Sequence, residues 1–345
     1  MSLSQGAIDV LARKGAERGV DLRPGMDLVE QRLRTTVAHD LPFMEDASRY
    51  LLEAGGKRFR PMLVLLSGLL GGGRATDDAL VDAGVIVELV QAATLYHDDV
   101  IDAADVRRGV PTAQVKWSNT VAILTGDFLL ARASGLSARL GVEVTRVMAA
   151  TISDLCAGQI REVQGSAAGQ ASRMPSIVAG RDHYLTVIRE KTASLIAASC
   201  RLGAILSGQP REAVEALTGY GTHLGMSFQL ADDVLDITSE ATESGKEPGT
   251  DLREGVRTMP VLYALEAEGP DSPLAALLAD PSEAQVADVL DALRGHPAME
   301  LARNDARLEA AKARRALRIF ETGNHPAVVL DGLVELTDYA ASRTD

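Results

Sequence analysis

Apolar residues recur at three- and four-residue spacing along nearly the whole chain, and no run alternates long enough to suggest a sheet. The spacing predicts helices over about 27–54, 60–71, 77–103, 117–139, 143–165, 181–207, 211–238, 258–268, 283–295, 298–321 and 326–342. Residues 1–25 read as a loosely held arm, and Thr76 with Asp77 is placed to cap the third helix. Two stretches read as loops: about 164–180, QGSAAGQASRMPSIVAG, and about 239–255, SEATESGKEPGTDLREG. No low-complexity linker divides the chain, so one domain over 1–345 is expected, with an all-α fold.

Composition sharpens this picture. With 345 residues, 46% of them hydrophobic, the chain can bury a large core, and only 3% aromatics disfavours a β-sandwich. The net charge of −13 excludes nucleic acid as a general partner, so any anionic ligand needs a local cationic patch. Cys156 and Cys200 form no CxxC and read as small buried side chains in a reducing compartment. The start of the chain lacks a signal-peptide apolar core, MLVLLSGLL is too short to span a bilayer, and the apolar run Leu80 to Tyr96 carries Asp82 and Glu88. A cytoplasmic protein is expected, with at most peripheral membrane contact.

Two of the predicted helices carry the chemistry. LVQAATLYHDDVID places Asp98, Asp99 and Asp102 on an apolar helix, and GMSFQLADDVLD does the same for Asp232, Asp233 and Asp236. Aspartate is a poor helix-interior residue. In DDxxD the first and fifth positions lie ~40° apart around the helix and ~6 Å apart along it. Two such faces across a cavity would clamp Mg²⁺, which keeps few protein carboxylates and takes phosphate oxygens as further ligands. One DDxxD among 48 acids would carry little weight; two in the same apolar setting carry much more. Asp77, Asp78 and Asp82 have similar composition but the wrong spacing, and read as solvated acids at a helix start.

Candidate cations surround these segments. Gly55-Gly56-Lys57-Arg58-Phe59-Arg60-Pro61 packs three cations into four positions at a loop-to-helix junction suited to phosphate, or forms a solvated basic turn. Arg107 and Arg108 follow the first triplet, Lys191 and Thr192 sit in an apolar segment, and Lys246 lies in the loop after the second triplet, a candidate lid. Gln229 lies within ~20° of the Asp236 face, whereas His97 points ~100° from Asp98 and reads as a packing or hydrogen-bonding residue.

In this order, GGKRFRP, ATLYHDDVID, RRG, TGDFLLARA, EKTASL, FQLADDVLD and GKEPGTDLREG, the chain resembles the trans-isoprenyl diphosphate synthases (polyprenyl synthetases) over about residues 45–265. The resemblance implies a helical bundle around a deep central cavity, a homodimer, Mg²⁺ (with Mn²⁺ as a substitute) and condensation of isopentenyl diphosphate with an allylic diphosphate. It assigns Asp98, Asp99, Asp102, Asp232, Asp233 and Asp236 to metal and allylic diphosphate. It assigns Arg107, Lys191 and Lys246 to the allylic diphosphate, and Lys57, Arg60, Gln91 and Arg108 to isopentenyl diphosphate. Thr192 and Gln229 would lie near the reacting carbons. Three positions depart from the family pattern: Gln91 where His is common, Ala103 where Glu is frequent, and Val256 where Lys is frequent, with Arg257 beside it.

Such a reaction breaks an allylic C–O bond, stabilises the leaving diphosphate with cations, and needs no side-chain nucleophile. The tail would run down the first triplet helix. Thr94 lies ~6 Å below the triplet on its face. Ala93 joins it by the resemblance alone, since short-chain members often place an aromatic at these two positions. Their small side chains predict a hepta- to nonaprenyl product for a quinone side chain. The rivals are a geranylgeranyl or farnesyl diphosphate synthase, a terpene cyclase, which usually needs more aromatics, and a non-catalytic synthase subunit.

Overall fold

The computed structural model describes residues 21–166, 180–239, 248–269, 271–279, 283–323 and 325–342. Its helices are α1 Arg23–Thr36, α2 Pro42–Glu53, α3 Phe59–Leu70, α4 Asp78–Ile101, α5 Ala113–Lys116, α6 Asn119–Leu140, α7 Val142–Gly165, α8 Arg181–Ile188 and α9 Ser194–Leu206. There follow α10 Arg211–Thr238, α11 Thr250–Arg253, α12 Met259–Glu268, α13 Pro273–Ala279, α14 Glu283–Arg294, α15 Ala298–Ala316 and α16 Ala327–Ser342. A π turn, Arg189–Ala193, joins α8 to α9, and a 3₁₀ turn, Leu317–Phe320, follows α15. The described strands form one small hairpin, β1 Val106–Arg107 against β2 Val110–Pro111.

The expected helix over 27–54 is two helices. Pro42 cannot continue a preceding helix, and it holds Leu41 extended at φ −87°, ψ 103°. The expected arm is also shorter at its inner end: Leu22 is buried and α1 begins at Arg23, while residues 1–20 lie outside the described residues. Asp77 is the N-cap residue of α4, but its carboxylate turns back to Arg74, accepting from its backbone N at 2.8 Å and its Nε at 2.9 Å. Asp78 and Asp82 are not merely solvated, since Arg32 of α1 bridges both, at 2.7 and 2.9 Å. Three helices lay outside the expected set: α5 just before the expected 117–139 helix, α11 inside the second predicted loop and α13 beyond it.

Two apolar clusters share α10. Leu217, Tyr220 and Leu224 join a core built from α1, α3, α4, α6 and α9. Farther along the helix, Met226, Leu230 and Val234 join a second cluster with α12, α14 and α15. Ala302, Ala306, Ala310 and Ala313 of α15 are buried at helical spacing, and Ser227 Oγ donates to Ala306 O at 2.8 Å. α4 is apolar and buried on nearly every side, with Val85, Ile86, Val87, Leu89 and Val90 all at 0% exposure. By length and composition α4 and α6 could each cross a membrane, but α4 is the core helix of this bundle. α6 instead leaves Ile123 and Leu124 exposed. Cys200 is buried, with its thiol pushed up to about 12 by burial, whereas Cys156 is exposed on the outer face of α7 and so departs from the expected pair of buried cysteines.

Candidate active site

Both aspartate triplets sit at the C-terminal ends of their helices. Asp98 and Asp99 occupy the last turn of α4 with Asp102 as its C-cap, and Asp232, Asp233 and Asp236 occupy the last two turns of α10. Carboxylates at helix C-termini add to the negative end of the macrodipole. Asp102 and Asp233 line one cavity of about 360 Å³, together with Glu162, Tyr184, Lys191, Thr192, Gln229, Asp251, Glu254 and Arg257. The two triplets thus open onto a common space.

The six carboxylates are not equivalent. Asp99 is buried, and Arg107 Nε donates to its Oδ1 at 2.7 Å. Asp233 is buried between Tyr184, whose hydroxyl donates to Oδ2, and Gln229, whose Nε2 donates to Oδ1 at 2.9 Å. Asp236 accepts from the backbone N of Thr250 and of Asp251, each at 3.2 Å, and so caps α11. That cap shapes part of the loop expected to be a lid; Lys246 lies outside the described residues. Asp98 and Asp232 are half-buried and Asp102 is exposed, the last of them lining the cavity.

Burial and mutual repulsion work against ionisation here. Burial pushes Asp98 up to about 6 despite the pull of Lys191, with Asp102 and Glu162 adding to the rise. Burial likewise raises Asp102, and it raises Asp233 to about 7 against the hydrogen bonds from Tyr184 and Gln229. Asp251 is raised by burial and by Asp233 and Asp236. This donor set is all oxygen and rich in negative charge, which suits a hard dication. Among the described residues no three acidic, cysteine or histidine groups converge closely enough to hold an ion unaided, so further oxygens would come from water or a bound phosphate.

Lys191 and Thr192 reach the cavity because they lie in the π turn, where one extra residue shifts the helical phase. Gly158 of α7 permits the close fit there, since a Cβ on it would lie 2.6 Å from Lys191 N. Thr192 Oγ1 donates to Gln229 Oε1 at 2.9 Å, extending the chain that runs through Gln229 to Asp233 and Tyr184. Lys191 Nζ is ion-paired to Glu162; burial opposes its charge, but Glu162 and Asp98 hold its pKa up. An anion approaching Lys191 therefore competes with Glu162 for its charge. Glu162→Gln is expected to tighten inorganic diphosphate binding about three- to tenfold, as removal of one competing ion pair would; isothermal titration checks this, and unchanged or weaker binding refutes the competition.

The tight hairpin separates two neighbouring arginines. Its two-residue turn, Arg108-Gly109, has φ 55° and 77°, both left-handed. Arg107 on one side pairs with Asp99, while Arg108 turns to the basic loop, donating to Leu51 O at 2.8 Å and to Gly55 O. Lys57 is exposed, Arg60 and Gln91 are half-buried, and Phe59 stacks on Phe228 of α10, with ring centroids 5.9 Å apart. His97 makes a 3.2 Å hydrogen-bond contact with Ile123 O and lies 3.4 Å from Asp127, away from the cavity. Arg257 lines the cavity beside Val256.

Residues 41–294 match the model of the polyprenyl synthetase family. The chain belongs to that family. It is 45% identical over 326 residues, 93% of each chain, to the nonaprenyl diphosphate synthase of Mycobacterium tuberculosis. It is 36% identical to heptaprenyl diphosphate synthase component 2 of Bacillus subtilis, covering 88% of this chain and 84% of that one. The polyprenyl synthase of Caulobacter crescentus, solved with calcium and isoprenyl diphosphate, superposes with a TM-score of 0.85 at 30% identity over 98% of both chains. The chain is accordingly a prenyltransferase with the all-α isoprenoid synthase fold.

Sequence reasoning missed Tyr184, Glu162, Asp251 and Glu254. Asp251 and Glu254 lay within GKEPGTDLREG, a segment already singled out; Glu162 and Tyr184 carry no local signal, because only the packing of α7, α8 and α10 brings them to the cavity.

Proposed function

We propose that this prenyltransferase is a long-chain all-trans polyprenyl diphosphate synthase, condensing isopentenyl diphosphate onto an allylic diphosphate to reach the hepta- to nonaprenyl range for a quinone side chain. The observation that carries the length is the small size of the side chains at the two positions below the first triplet: Ala93, fully buried, and Thr94, tied by Oγ1 to Gln91 O at 2.9 Å. Tyr96, the nearest aromatic, is turned away, its hydroxyl bonded to Ala47 O at 2.6 Å and Leu51 N at 3.1 Å. The 45% identity to a nonaprenyl diphosphate synthase supports the same length.

In this reading Asp98, Asp102 and Asp232 hold Mg²⁺, or Mn²⁺ in its place, together with the allylic diphosphate. The metal, when bound, supplies positive charge to the departing diphosphate. Asp99, Asp233 and Asp236 act from behind, fixing Arg107, Gln229 and α11. Lys191 and Arg107 take oxygens of the allylic diphosphate, with Lys246 expected to join them. Arg60, Arg108, Lys57 and Gln91 hold isopentenyl diphosphate. Thr192 and Gln229, fixed by their mutual hydrogen bond, lie beside the reacting carbons.

Incubation of the purified chain with farnesyl diphosphate, labelled isopentenyl diphosphate and Mg²⁺ is expected to yield products beyond geranylgeranyl diphosphate, sized by chromatography. Products ending at geranylgeranyl refute the length. The relative named as component 2 of a heptaprenyl synthase favours a second reading, a catalytic subunit needing a partner chain. Activity of the purified chain alone decides against it. A homodimer in the cytoplasm is the assembly we favour, since α6 and α7 expose Ile123, Leu124, Val142 (75% exposed) and Ile160 on the outer surface.

A further inference from the structure

One deeply buried carboxylate has no part in the reaction as described. Glu88 lies one turn before Gln91 on α4 and is 3% exposed. Arg58 Nη1 donates to its Oε1 at 3.0 Å, and Arg108 Nη2 lies 3.9 Å from the same oxygen. Arg60 is the third cation around it: Glu88 and Arg108 are its charged neighbours, and its Nε is buried without a hydrogen-bond partner. Glu30, on α1, faces the outer side of the cluster and takes Arg58 Nε.

The backbone is drawn in around this group. Arg58 and Arg108 both adopt left-handed conformations, φ 47° and 55°, which cost energy for residues bearing a Cβ. Gly56 has φ 150°, a conformation that residues bearing a Cβ rarely adopt, and the guanidiniums of Arg58 and Arg108 close over its Cα, where a Cβ would come within 2.5 Å of Arg58 Nη1 and 2.9 Å of Arg108 Nη2. Arg58 is taken up by protein partners, Glu30, Glu88 and Leu52 O, to which its Nη2 donates at 2.8 Å, so it is the member of KRFR committed to the fold rather than to a ligand. Three guanidiniums this close and this buried need a counter-charge. Glu88 is the central one, and it leaves the cluster with an excess of positive charge.

We propose that Glu88 is the positioning residue of the isopentenyl diphosphate site, the carboxylate that gathers Arg60 and Arg108 and aims them at the incoming diphosphate. This rests on the assignment of Arg60 and Arg108 to that substrate above. Glu88 touches no substrate; it acts through the arginines.

The test is steady-state kinetics of Glu88→Gln and Glu88→Asp with both substrates varied. Glu88→Gln is expected to raise KM for isopentenyl diphosphate about 10- to 100-fold, the worth of one charge-assisted hydrogen bond to the substrate, with KM for the allylic diphosphate unchanged. Glu88→Asp, which keeps the charge, is expected to recover part of the loss. A purely structural role would lower the melting temperature and the active fraction and leave both KM values where they were. The double variant Arg58→Met with Glu88→Gln removes a cation with the anion and guards against collapse of the single variant; its KM for isopentenyl diphosphate is expected to rise as well. If the wild type condenses both substrates and the folded variants keep KM for isopentenyl diphosphate within about twofold, well short of the factor of ten that 1.4 kcal/mol represents, Glu88 does not position the site. Equal rises in both KM values, or failure of both variants to fold, overturn it too. A wild type that condenses nothing overturns instead the functional reading beneath it.

Discussion

Asp98→Asn should lose activity by on the order of 10³-fold while making the metal-free protein more stable at neutral pH. The activity loss follows from removing a charge that holds the dication and diphosphate where negative charge develops. The stability gain follows from the electrostatics of the ligand-free cavity. The folded-state pKa of Asp98, about 6, lies above the ordinary 3.8, so the native state binds this proton more tightly than the unfolded chain does. Wild-type stability therefore falls as pH rises from about 4 to about 6, and the deficit is complete above that range. Asparagine, resembling the protonated form, escapes the deficit, which the shift puts at no more than roughly 3 kcal/mol. Melting temperatures of metal-free wild type and variant should differ by several degrees at pH 7.5 and converge near pH 4. A variant that melts lower at pH 7.5, or keeps near-wild-type turnover, contradicts the account.

Thr94→Phe should shorten the product to about the farnesyl or geranylgeranyl stage, because the ring would fill the space ~6 Å below the triplet along α4. Thr94 is half-buried and its hydroxyl is bonded to Gln91 O, facing its own helix, so phenylalanine there adds bulk beyond the wild-type side chain. Ala93→Phe should shorten the product as well, at a cost in stability. Ala93 sits at 0% exposure within the main core, where added volume typically costs about 1–3 kcal/mol. Product sizing with each variant, beside a thermal melt, separates the two effects. Full-length product from both variants would place the floor of the tunnel elsewhere.

Much of the fold was legible in the hydrophobic pattern, and particular elements show why. α10 was expected over 211–238 and is observed as Arg211–Thr238, since Pro210 before it and the polar stretch after Thr238 bound a strongly periodic run. The 27–54 segment failed because its periodicity continues through Leu41-Pro42, where backbone sterics override pattern. The aspartate positions and their common cavity were legible from spacing. Their hydrogen-bond partners were not, because those of Asp99, Asp233 and Asp236 come from β1, α8 and the backbone of α11. Arg58 was indistinguishable in sequence from Lys57 and Arg60; only its left-handed backbone and the buried Glu88 set it apart. The hairpin likewise has strands of two residues, too short to register as alternation.

The π turn at Arg189–Ala193 has a geometric corollary. Deleting one residue there to restore ordinary helix would rotate everything upstream by ~100° relative to α9. Tyr184 would swing off Asp233 and leave a buried acid without its hydroxyl donor, while α9 stayed seated in the core. The surplus residue thus serves as a phase adjuster, letting a single rod present one meridian to the bundle interior and another to the catalytic chamber.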